Sequence, residues 1–248
     1  MPRTELKEDG ATAVAVLTAP QRGFALVVER RRSLTVLLAA TAVSLLFAVV
    51  AAPRLDFDKA AAAQLELAPN AAELTPFQRE EAVVQARKIG TVGVYAGSAF
   101  SPAITVLAAA FFLWLAFKVA GTSPPFKGTL AVVAHGMLPV LLAPLLLLPA
   151  LVAKAPVDPM GLGRLLPSNL GAFLPEKASP VLLALATSID LFSIWAVVLL
   201  TLGMAALTGA SKRRAATVVG LLWLAQICLL RIAPAAAMAA ARGMGGGA

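Results

Sequence analysis

From Ser33 to Ala52 the chain runs twenty residues without a charge, bounded by Arg30, Arg31 and Arg32 on one side and by Pro53 and Arg54 on the other. At 1.5 Å rise per residue, about 20 apolar residues cross a hydrocarbon layer of about 30 Å, so this run predicts a membrane span. Three further uncharged runs follow at about 91–117, 128–153 and 215–230. Between the last two lies a longer apolar stretch, Ala178 to Ser211, interrupted only by Asp190. It is too long for one untilted crossing. Division at Asp190 gives a segment from Val181 to Ile189 at the interface and a span at about 191–209. Pro139, Pro144 and Pro149 are expected to kink the third span or end it early. The pattern predicts an all-α polytopic membrane bundle over residues 33–230, with five transmembrane helices and short interfacial helices. Outer loops at 53–90 and 154–190 separate the spans.

Lysine and arginine set the orientation. Arg30, Arg31 and Arg32 form one dense cluster directly beside a span, and Lys212, Arg213 and Arg214 form another. Both are expected to anchor the topology, and Arg3, Lys7, Arg22, Lys118 and Lys127 fall on the same side. The opposite side carries nearly as many cations, but spread over longer loops and mixed with most of the acids. By the positive-inside rule the dense side is cytoplasmic. Five crossings then put the N-terminus inside and the C-terminus outside. The first span is longer than a signal-peptide core and begins far from the start, so it is expected to be retained.

The parts outside the bilayer carry fewer signals. Residues 1–32 read as a cytoplasmic tail, loose over Met1 to Thr18. From Pro20 to Arg32, Phe24, Leu26, Val27 and Val28 lie among arginines, which fits either a short interfacial helix or a basic flank of the first span. In the first outer loop, Thr75, Pro76 and Gln78 form a helix start: a capping threonine, a proline where a missing donor costs nothing, and a glutamine that closes a capping box. From Lys154 to Ser179 the second outer loop holds four prolines and scattered glycines, so no compact domain is expected there. Residues 231–248 read as a flexible C-terminal tail.

Composition agrees with the pattern: 59% hydrophobic and 14% charged residues, with mean hydropathy +0.84. One cysteine and one histidine leave no cysteine or histidine metal cage and imply no cofactor. No basic run is interleaved with aromatics, so the net charge of +8 does not point to nucleic acid. It fits lipid headgroups instead.

Few residues offer chemistry. Asp190 is the one ionisable group inside an apolar stretch, where an unpaired charge is costly. Deep in the bilayer it would relay protons or bind a cation; at the split it would cap the following helix, with Phe192 and Trp195 at headgroup depth. His135, with Ser98 and Ser101, raises an intramembrane hydrolase. Gly93, Gly97 and Ser101 recur every four residues, a small-residue stripe suited to close helix packing.

Residues Ile189 to Trp195, Leu199, Leu200, Gly203, Ser211 to Ala215 and Trp223 resemble the last two spans of bacterial members of the Yip-one (Ypt-interacting protein) family. Phe126 to Gly128 with Pro139, Pro20 with Phe24, and Thr75 to Gln78 extend the resemblance over most of the chain from Pro20 to Trp223. It implies a five-span integral membrane protein with no established catalytic activity in bacterial members. Eukaryotic relatives are associated with small GTPases and vesicle traffic. Their acidic and glycine-tyrosine motifs are not recognisable here, so that role does not carry over.

The leading expectation is a non-enzymatic protein of a bacterial inner membrane, binding lipids and another membrane protein or a second copy of itself. It would act as a scaffold or as an accessory subunit of a complex such as an exporter. The rival is a solute or proton transporter using Asp190. An intramembrane hydrolase comes third.

Overall fold

The computed structural model describes residues 3–66, 73–154, 156–175 and 178–245. Eleven α-helices are found among them: α1 Arg3–Thr18, α2 Pro20–Arg30, α3 Leu34–Ala51, α4 Phe57–Glu66, α5 Pro76–Val119, α6 Phe126–Gly136, α7 Leu138–Lys154, α8 Pro180–Ser188, α9 Leu191–Thr208, α10 Lys212–Ile227 and α11 Ala233–Gly245. Five stretches are long and apolar enough to cross a membrane: Leu34–Arg54, Pro76–Val119, Phe126–Lys154, Leu191–Thr208 and Lys212–Ala237. Only 11–28% of the most apolar window of each is buried in the chain. Large side chains such as Leu38, Val49, Phe112, Leu146, Val198 and Leu221 point outward. Apolar surface of that extent needs lipid around it. The fold is an all-α membrane bundle.

The second span and the helix predicted at Thr75 are one object. Thr75 accepts from the Gln78 backbone N–H while the Gln78 side chain accepts from the Thr75 backbone N–H, and the helix then runs 44 residues to Val119. At 1.5 Å per residue it is about 66 Å long, twice a bilayer's hydrocarbon thickness. Its polar first part stands outside the apolar slab, where α4 packs along it and Asp58 pairs with Arg87. The third span breaks at Met137 into α6 and α7. Pro139 explains the place, because it has no N–H for the His135 carbonyl and its ring crowds that oxygen. Pro144 and Pro149 are tolerated within α7.

Two expectations need correction at the N-terminus. Residues 3–18 are helical, not a loose tail, and α2 buries one face, Gly23, Phe24 and Val27, in the bundle rather than serving only as a basic flank. The two helices turn at Ala19 and fold back on each other; a side chain at Gly23 would collide with the backbone of Ala15 and Val16. Val16, Phe24 and Val27 are fully buried in the main core with Val106, Phe117, Val132, Leu199 and Met204. Phe24 lies against Gly203 of α9. The α1 helix escapes prediction because its buried stripe reads Asp9, Thr12, Val16. Two of those three are polar, so no hydrophobic period marks it.

The C-terminus also differs from a flexible tail. The last span continues through a π-helical turn at Cys228–Ile232 into α11, which ends at Gly245 and packs on α8. Pro234 lacks the N–H that would bond to Leu230, and the π register just before it absorbs the missing bond. The alanines of 235–241 then sustain the helix. Of the glycines expected to be flexible, Gly246 and Gly247 lie outside the described residues.

The ends of the bundle are chemically distinct. At one, α2 packs on α6 and α9, and the turns from α5 to α6 and from α9 to α10 meet where the Arg214 side chain donates to the Ala120 carbonyl. Lys212, Arg213 and Arg214 form the first turn of α10 there, behind Ser211, whose hydroxyl accepts from the Arg214 backbone N–H. At the other end, Val157 exchanges backbone bonds with Arg54 and Asp56, and Ala51, Leu151 and Val157 form a second small core. The second outer loop is built of short 3-10 turns at Pro159–Arg164 and Leu170–Phe173. The first helix sits at the basic end, and α11 packs on α8 at the other.

Candidate functional site

The residues with chemical potential do not converge. Asp190 precedes the first residue of α9 in extended conformation, and its Oδ1 accepts from the backbone N–H groups of Phe192 and Ser193 at 2.9 and 3.2 Å. Its Oδ2 accepts from the Ser168 hydroxyl at 2.6 Å, and the Leu191 N–H reaches the Ser168 carbonyl at 3.0 Å. The carboxylate therefore ties the second outer loop to the start of a span, with both oxygens engaged. Phe192 is half-buried and Trp195 exposed on the following turn.

His135 is buried at the end of α6, its Nδ1 2.9 Å from the carbonyl of Ala131 one turn earlier. Among the described residues no hydrogen bond joins it to Ser98 or Ser101. Pro139 is buried two residues past the α6–α7 break. Gly93 and Gly97 face open space, with nothing within 4 Å of a side chain added at either, and Ser101 is exposed beside them. The chain's own helices leave that stripe uncovered. Among the described residues no group of three or more histidine, cysteine, aspartate or glutamate side chains could hold a metal ion.

The two basic clusters turn out to differ. At the start of the first span the arginines have protein partners: Arg30 pairs with Glu8 at 3.3 Å, and Arg32 with Glu5 at 3.4 Å and Asp9 at 3.7 Å. Arg31 ends α2 in the left-handed region, its Nε donating to the Val28 carbonyl. Arg30 and Arg32 therefore have acidic partners within the chain. At the start of α10, Lys212, Arg213 and Arg214 are all exposed, but only Arg214 is turned to a neighbouring helix end. Arg213 contributes its backbone, its carbonyl accepting from the Thr217 hydroxyl at 3.0 Å, and among the described residues it makes no ion pair.

Asp9 is only 5% exposed, and its Oδ2 accepts from the Thr35 hydroxyl at 2.6 Å. This clasp between α1, the arginines and α3 was not visible in the sequence. Its one signal was the acidic trio Glu5, Glu8 and Asp9, close to one helical turn in extent and well ahead of a basic trio. At the same end the indole N–H of Trp114 donates to the Pro124 carbonyl at 3.1 Å, Lys118 lies 4.2 Å over its ring, and Phe126 meets it edge-on. That arrangement closes the α5–α6 turn.

Residues 14–232, nearly the whole chain, match the family described as the Yip1 domain. The chain belongs to the Yip1 family. The matched region starts inside α1 and ends in the π turn, so it takes in the buried α2, both outer loops, four spans whole and the fifth as far as Ile232. Of the N-terminal hairpin, α2 and residues 14–18 at the end of α1 lie within the match. Comparison with curated proteins and with solved structures gave no match.

Proposed function

We propose that this Yip1-family protein is a non-enzymatic protein of a bacterial inner membrane that works by holding a partner, as a scaffold or as an accessory subunit of a complex such as an exporter. One observation carries the reading. The Gly93, Gly97, Ser101 face of α5 is bare of neighbours from its own chain, on the helix that reaches furthest beyond the slab. Small residues at four-residue spacing let a second helix approach closely, and association in lipid relies on such packing rather than on a hydrophobic drive. The occupant is a transmembrane helix of another protein or of a second copy.

The other candidates support this reading by what they already do. Asp190 holds a helix end and a loop, and His135 bonds within its own helix. The grouping of Arg22, Lys118, Lys127, Lys212, Arg213 and Arg214 at one end supports a cytoplasmic N-terminus.

The test is site-directed crosslinking in membranes. A cysteine at position 97 in a Cys228→Ser background should link to a partner helix, and Gly93→Leu added to that variant should abolish the link with thermal stability unchanged. Equal crosslinking from the opposite face of α5, at position 99, would refute the assignment.

A further inference from the structure

We infer that the cleft between α2 and the basic end of α9 is a binding site for one anionic phospholipid. Gln21 and Phe24 of α2 form one wall; Leu202, Ala205 and Ala206 of α9 form the other, and Ala210 and Lys212 close the basic end.

Depth decides what such a cleft can hold. Helix α9 has 18 residues, about 27 Å, and so crosses one hydrocarbon layer between Leu191 and Thr208. Leu202 therefore lies below the headgroup boundary, Ala205 and Ala206 near it, and Lys212 just past it. The cleft is apolar where acyl chains run and cationic where phosphates sit. A soluble anion would have no use for the apolar wall. Phe24 fixes α2 at this level because its ring is locked against Gly203 and Val132 in the core.

Several cations at this end are already engaged, and of those left, Lys212 lines the cleft. Arg30 and Arg32 are paired with acids of α1, Arg214 donates to the α5–α6 turn, and Lys118 lies over Trp114. Lys212 makes no ion pair among the described residues, and the cleft lining contains no carboxylate. Arg213, the next residue, is outside that lining. The groove on the other face of α2 differs. There Glu8 pairs with Arg30 and leaves Arg22 as the other cation, so that groove holds a carboxylate where the α2–α9 cleft has none. A lipid phosphate at Lys212, with the Gln21 amide beside it, supplies the counter-charge while one acyl chain fills the space along Leu202, Ala205 and Ala206. The inference rests on this cleft alone and does not depend on any partner at α5.

Native mass spectrometry of the detergent-solubilised full chain, titrated with phosphatidylglycerol and phosphatidylcholine, tests it. Wild-type protein should retain phosphatidylglycerol over phosphatidylcholine. Lys212→Gln should cut the phosphatidylglycerol adduct about fivefold, the weight of one basic residue at an anionic surface, and Lys212→Arg should restore it. Ala206→Trp, which fills the cleft, should remove both lipids. Lys127→Gln should change neither, although it takes the same charge from the same end. Equal losses for Lys127→Gln and Lys212→Gln would overturn the site in favour of diffuse attraction. Displacement of phosphatidylglycerol by millimolar inorganic phosphate would overturn the lipid as occupant. Lys212 is exposed and outside any ion pair, so Lys212→Gln should melt with the wild type, keeping the adduct readout free of folding effects.

Discussion

Replacing Gly203 with alanine places a methyl group 2.5 Å from Val132 Cγ1 and 2.6 Å from the ring of Phe24. Carbon atoms in ordinary contact are about 3.5–4.0 Å apart, so roughly 1 Å must be found. Neither neighbour yields readily. Val132 is β-branched and fully buried in α6, and Phe24 is fully buried between α6 and α9. The least fixed element is α2 itself, joined to the rest by short turns, so the strain should appear as partial undocking of the α1–α2 hairpin. Overpacking of this kind costs about 1–3 kcal/mol. Amide exchange in α2 should accelerate by about 5- to 150-fold in hydrogen–deuterium exchange while the middle of α9 stays protected. Gly97→Ala, the same change with nothing within 4 Å, should leave exchange and thermal stability unaltered. Phe24→Leu combined with Gly203→Ala should recover part of the loss, since the two sites are in contact and cannot act additively. Unchanged α2 exchange in Gly203→Ala would refute the claim that α2 is packed into the bundle.

Three further outcomes follow from the geometry. Asp190→Ala should destabilise by about 1 kcal/mol through loss of the cap and open the 168–190 junction to protease, whereas Asp190→Asn keeps an accepting oxygen and should stay near wild type in thermal melts. Loss of solute flux in Asp190→Asn vesicles, with insertion unchanged, would instead favour transport. Thr75→Ala should remove about 1 kcal/mol from the start of α5, seen as faster exchange over residues 76–80 with no change in the bundle's melting. Impermeant maleimide applied to Cys228→Ser vesicles should label a cysteine at position 3 from one side and at position 245 from the other; labelling of both from one side would contradict five crossings.

What the sequence revealed depended on whether a signal lay in one residue's chemistry or in a period. Asp190 stood out because a single carboxylate interrupted a long apolar run, and such a residue ends one helix and starts the next. Thr75 to Gln78 was legible because a capping box is written entirely in local residue types. Spans were legible because lipid demands apolar side chains all round, a requirement that survives any arrangement of neighbours. Pro139 announced a break in the third span, while its position at Met137 followed from the one hydrogen bond that this proline removes.

The features that escaped are those in which a helix is held by partners distant in sequence. Helix α1 buries Asp9, Thr12 and Val16, and its order comes from Arg30, Arg32 and Thr35 rather than from an apolar face. A period search finds nothing there because what is buried is largely polar, and a buried polar group is acceptable only once its partner is in place. The arginines read as lipid anchors for the complementary reason: positive charge beside a span looks the same whether headgroups or an acidic helix neutralise it. Burial separates the two, because Asp9 at 5% exposure cannot be shared with headgroups and must answer Arg32 and Thr35 from within the chain. The basic flank of the first span is thus partly neutralised by the protein itself, and Lys212 and Arg213, outside that clasp, are left with their charge for the bilayer.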